Sequence, residues 1–188
     1  MAIMVIGLVA FLGLHLVPAF PGYRNRLATD LGEQRYKGLF SLASFVALAL
    51  VVVGYALSER GPKLFPPVPA AIASAPYAIT LVFILLAAAN MKGHIRQSLQ
   101  HPMLIGILIW SGVHLLANGD LRGTVLFGAF FVYALVDLVS AVRRHAVKSF
   151  VPSTRPDVIA IAAGVIVALV VMTLHPYLFG VRVVSFDF

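Results

Sequence analysis

Six apolar windows punctuate the chain, separated by short runs rich in charge, proline and glycine. They cover residues 2–19, 39–57, 76–91, 103–118, 124–142 and 158–179. A helix needs about 20 mostly apolar residues to cross the hydrocarbon of a bilayer. The third and fourth windows are short, so they draw on flanking residues or sit where the bilayer is thinner. The pattern predicts an all-α, polytopic transmembrane bundle of about six spanning helices. Connections of about 5 to 20 residues leave no room for a soluble domain, and residues 1–188 read as one transmembrane unit.

The intervening segments differ in character. Residues 21–38 mix charge with Leu27, Leu31 and Tyr36, which predicts a short amphipathic helix at the interface. Residues 58–75 carry Pro62, Pro66, Pro67 and Pro69 and read as stiff and extended. A basic connector runs from Val142 to Val158, closed by Pro152 and Pro156. The first window lacks a basic leader and a convincing small-residue cleavage site, so it reads as a retained helix rather than a secretion signal.

Composition agrees with this pattern and sets the orientation. Hydrophobic residues make up 61% of the chain and charged residues 11%, with a mean hydropathy of +0.98. With six helices, Arg24, Arg26, Arg35, Lys37, Lys92, Arg96, Arg143, Arg144, Lys148 and Arg155 share one side. Arg60, Lys63, Arg122 and Arg182 lie on the other. The positive-inside rule places the first group in the cytoplasm of a bacterial inner membrane, with both termini periplasmic. The net charge of +7 then reflects topology and contact with membrane lipid, and no basic domain exists to bind nucleic acid. Cysteine is absent, which excludes disulfides, thiolate ligands and thiol nucleophiles.

Polar residues inside apolar windows carry the candidate chemistry. Helical spacing puts Ser111, His114 and Asn118 on one stripe, with Gly106, Trp110 and Ala117 on the surrounding face. A second stripe joins Tyr133, Asp137, Ser140 and Arg144, where Asp137 is the one carboxylate within a span. A structural ion pair with Arg144 or Arg143 is its plainer reading, and proton handling the sharper one. Of six histidines, His94 and His145 fall at helix ends, where capping or headgroup contact suffices. His101 and His175, each followed by proline, divide evenly between structural and functional readings.

His15 and His114 lie inside spans. At the helical rise His15 sits roughly 8 Å and His114 roughly 18 Å from the basic side, an offset of about 10 Å. Two imidazoles on different helices can hold a tilted macrocycle across that offset, whereas one small ion shared by both is harder to arrange. The alternative is two histidines hydrogen-bonded to neighbouring helices. Gly7 and Gly13 thin the first helix around His15, as small residues that open a cavity or pack helices closely both do.

Several segments together resemble the NnrU family. They are Gly13-Leu-His-Leu-Val-Pro18, residues 31–42, His101-Pro-Met-Leu-Ile-Gly106, Trp110 with His114-Leu-Leu-Ala-Asn-Gly-Asp120, and His175-Pro-Tyr-Leu-Phe-Gly180. The family takes its name from nitric-oxide and nitrite reduction in denitrifying bacteria. A relative, the 15-cis-zeta-carotene isomerase, is a membrane haem b enzyme. The resemblance implies haem b held by His15 and His114, with Ser111, Trp110, Asn118 and His101 around it. The isomerase's proposed cysteine ligand falls at Ser111, which has no thiolate and puts the isomerase's ligand switch in doubt. His101-Pro-x-x-x-Gly is also similar to membrane methyltransferases that use S-adenosylmethionine, but their acidic pair has no counterpart near Arg143.

These observations leave three roles: a membrane haem protein with redox or sensing chemistry toward NO, a cis–trans isomerase of a polyene lipid, or a non-enzymatic partner of a respiratory or denitrification complex. Methyl transfer ranks below all three.

Overall fold

The computed structural model describes residues 1–181 and 183. Among the described residues there are eight α-helices: α1 (Ala2–Leu16), α2 (Pro21–Leu31), α3 (Glu33–Leu57), α4 (Pro69–Ala88), α5 (His94–Leu99), α6 (Pro102–Asn118), α7 (Leu121–Arg143) and α8 (Thr154–Phe179). Five segments are at least 18 residues long and apolar enough to cross a membrane: α3, α4, α7, α8, and α1 together with the 3-10 turn that extends it to Ala19. The sixth span of the sequence reading is α6, at 17 residues about 25 Å long and near the lower limit for crossing. Large apolar side chains such as Phe45, Val52, Leu57 and Tyr77 are exposed along the helices, as a lipid-facing surface requires. The chain is a multi-pass helical membrane protein.

The spans do not pack in chain order. They form a row in which α3 lies against α1, α1 against α7, α7 against α6, α6 against α4 and α4 against α8. The contact between α1 and α7 is the thinnest in the row. Glycine sets the close approaches on either side of it. A Cβ at Gly7 would come within 2.6 Å of the Val51 amide nitrogen, and one at Gly54 would overlap the Met4 backbone. Gly164 likewise lets α8 meet the α4 backbone at Ile84. Gly13 has nothing within 4 Å of its Cβ position, so of the two glycines read around His15, Gly7 packs α3 and Gly13 faces open space.

Three boundaries differ from the sequence reading. The amphipathic helix is present as α2, but Gly32 at φ 80° ends it, and residues 33–38 open α3 instead of closing the loop. The proline-rich segment is extended only to Val68, because Pro69 occupies the first position of α4, where a missing N–H costs nothing. Pro76 lies inside α4. The basic connector ends at Ser153, and Pro156 falls within the first turn of α8. The short helix α5 went unseen in the sequence because six residues carry too little periodicity to register.

Both ends of the row are tied by polar contacts. At the sparsely charged end the extended segment pairs with the α6–α7 turn, Leu64 N–H donating to the Gly119 carbonyl and Val68 N–H to that of Leu116. Arg122 donates to the Tyr55 and Ser58 carbonyls at 3.1 and 2.7 Å and lies 4.1 Å over the Tyr55 ring, closing the end of α3. At the basic end, Asp157 of α8 accepts from the backbone N–H groups of His94 and Ile95 at 2.8 and 3.0 Å and pairs with the His94 ring. Arg144 donates to the Pro18 carbonyl. Arg182 and the C-terminal Phe188, both used in the topology reading, lie outside the described residues.

Candidate functional site

Desolvated side chains on α6 satisfy themselves on their own helix. Ser111 is fully buried and donates to the carbonyls of Ile107 and Leu108 at 2.6 and 3.3 Å. Asn118 donates to the His114 carbonyl at 2.6 Å, and His114 Nδ1 lies 2.8 Å from the Trp110 carbonyl oxygen. Each bond returns to a residue three or four positions earlier, whose carbonyl lies beneath the side chain in an α-helix. Ser111 and Asn118 are thereby committed.

The histidines are not fully committed. A carbonyl oxygen only accepts, so Nδ1 of His114 carries the proton and Nε2 of the neutral ring keeps its lone pair. On α1 the His15 Nδ1 makes the same 2.8 Å bond to the Phe11 carbonyl. Among the described residues neither Nε2 has a hydrogen-bond partner, and neither is sealed off as a buried orphan. Both rings are therefore fixed in the tautomer that metal-binding imidazoles use, with the backbone supplying the orienting contact.

Aromatic rings connect them. Phe11 lies 4.2 Å from the His15 ring and 6.0 Å from Phe130 on α7. Phe130 lies edge-on to Trp110 at 5.3 Å, and Trp110 lies 5.4 Å from His114. Phe127 closes the other side, 5.2 Å from Trp110 and 4.7 Å from His114. The column crosses the seam between α1 and α7 and joins the two histidines through three helices. Phe11, Phe127 and Phe130 escaped the sequence reading. One signal was available: Phe11 precedes His15, and Trp110 precedes His114, by the same four residues.

The other singled-out residues take no part in the ring contacts of this column. His101 stands at the opposite end of α6, thirteen residues or about 20 Å from His114. Its Nε2 is buried without a partner. His175 donates to the Val181 carbonyl at 2.8 Å and stacks on Phe179. His145 is exposed at the end of α7 with φ 49°. The second stripe forms a polar chain, Tyr133 donating to Asp137 at 3.3 Å and Arg144 reaching Asp137 at 3.9 Å and Ser140 at 3.1 Å. Among the described residues no three His, Cys, Asp or Glu side chains converge.

Fold and site together define a polytopic helical membrane protein with two oriented imidazoles joined by an aromatic column. The family described as NnrU protein matches residues 3–183, nearly the whole chain, and the protein belongs to that family. No curated protein and no solved structure matches it.

Proposed function

We propose that this protein binds haem b within the membrane, with His15 and His114 as the residues that would hold its iron. The shared Nδ1-to-carbonyl bond carries the reading, because it leaves a lone pair on Nε2 of both rings. Two isolated imidazoles are too few for a bare ion, whereas a macrocycle brings its equatorial ligands with it. Phe11, Trp110, Phe127 and Phe130 make the surroundings of both imidazoles apolar and aromatic, as a macrocycle in the membrane requires. Bound there, a haem would supply a one-electron iron centre suited to redox or sensing chemistry. The protein's own part is to orient both imidazoles and to surround them with apolar rings. The family resemblance directs that chemistry toward nitric-oxide and nitrite reduction in a bacterial inner membrane.

Detergent-purified protein is expected to show a Soret band that His114→Ala weakens or shifts. Haem-free protein from haem-replete cells overturns the proposal. Orientation follows from the charge bias, with the basic end cytoplasmic and the termini periplasmic. A reporter fused after Phe188 is then active in the periplasm, and cytoplasmic activity reverses the assignment. The isomerase reading is weakened at Ser111, whose hydroxyl is spent on its own helix.

A further inference from the structure

A cavity of about 450 Å³ opens at the basic end, away from the histidine column, between the start of α6 and the connector that follows α7. One wall carries Arg96, Gln97, Gln100 and His101, the facing wall Lys148 and Ser149. No carboxylate lines it. Neither Arg96 nor Lys148 has an acidic partner among the described residues, and Arg96 is held 5.3 Å over the Phe150 ring. The first turn of α6 starts at Pro102 with no side-chain cap, so the Met103 and Leu104 N–H groups face the cavity end of a 17-residue helix unpaired. Two unpaired cations, a helix N-terminus and no acid define an anion site. S-adenosylmethionine, whose sulfonium is cationic, is the wrong charge for these walls.

The remainder of the lining is apolar, with Ala89, Leu104 and Val147 beside the polar groups. The cavity lies where helix ends meet the headgroup layer, and its volume suits a headgroup with its glycerol rather than a whole lipid. We infer that this cavity holds the phosphate of an anionic membrane lipid, gripped by Arg96 and Lys148, with the acyl chains leaving along the apolar wall. Basic pockets at helix ends recognise headgroups by this combination of charge and apolar surface. Phosphatidylcholine presents a quaternary ammonium for which the lining has no acceptor charge.

Native mass spectrometry of the full chain with phosphatidylglycerol, phosphatidylcholine or inorganic phosphate tests the assignment. Phosphatidylglycerol is expected to give one saturable adduct, and Arg96→Gln with Lys148→Gln to weaken it by about tenfold per cation removed. Removing equal charge from the same end by Arg26→Gln with Arg35→Gln leaves the adduct unchanged. Ala146→Trp, which fills the cavity without altering charge, reproduces the loss should the double variant fold poorly. Equal retention of phosphatidylcholine, unchanged binding by both cavity variants, or inorganic phosphate binding as tightly as phosphatidylglycerol overturns it.

Discussion

Trp110 meets His114 twice: its carbonyl oxygen accepts the imidazole N–H at 2.8 Å, and its indole lies 5.4 Å from the imidazole ring. One residue thus sets both the tautomer and the tilt of its neighbour, and the backbone half of that control survives any substitution at the site. Trp110→Leu is therefore expected to keep the histidine oriented while loosening the column at Phe127 and Phe130. In the haem reading, the variant retains a Soret band that is broadened or shifted. Complete loss of the band would show that the indole does more than pack.

Ser111→Ala separates the haem reading from one that relies on the serine. The hydroxyl donates only to its own helix, so its loss should change stability by about 1 kcal/mol or less and leave the visible spectrum as it was. His15→Ala and His114→Ala should each alter the spectrum, and together abolish it. A spectral change in the serine variant comparable to either histidine variant would make Ser111 a participant.

Gly54→Ala should destabilise the α1–α3 pair by about 1–3 kcal/mol, since the added methyl overlaps the Met4 backbone. Gly13→Ala meets nothing and removes a flexible residue from a helix, so it should be neutral or slightly stabilising. Thermal unfolding in detergent distinguishes them. Equal midpoints for the two variants would mean that the α1–α3 approach is not as close as described.

Arg122→Ala removes both bonds to the end of α3 and the stacking on Tyr55, and should cost about 2–3 kcal/mol. Arg122→Lys should recover only part of this, because an ammonium cannot reproduce the planar fork. Full recovery by lysine would reduce the role of Arg122 to bare charge.

Asp157→Ala should release α5 from α8, as both N–H bonds and the His94 contact depend on one carboxylate. Amide hydrogen exchange at His94 and Ile95 reports the release directly. Protection unchanged in the variant would refute the coupling.

The helical class, six apolar segments and two intramembrane histidines were legible because burial in lipid leaves long apolar runs and makes each polar exception conspicuous. Pro69 misled the reading of the segment before α4, since proline both breaks helices and begins them, and only the fold decides which. Gly7 and Gly13 look alike in the sequence, yet one touches a neighbouring backbone and the other touches nothing. The contact between Asp137 and Arg144 was visible from their spacing. The cavity beside His101 was not, because its second wall comes from a connector more than forty residues away. Likewise, the Phe11–Phe130 contact depends on α1 lying beside α7 rather than beside α2, which no local pattern states.

Spatial order and synthetic order disagree in this row, and the disagreement has a temporal consequence. His15 is made first, yet Phe127 and Phe130, which link its side of the column to His114, belong to α7, the seventh of the eight described helices. Until α7 inserts, α1 has only α3 as a major partner, and the two imidazoles occupy separate fragments of a growing membrane protein. Any ligand that needs both must wait for Phe127 and Phe130. The last span, α8, then docks on α4 at the far edge, after the histidine column is already whole.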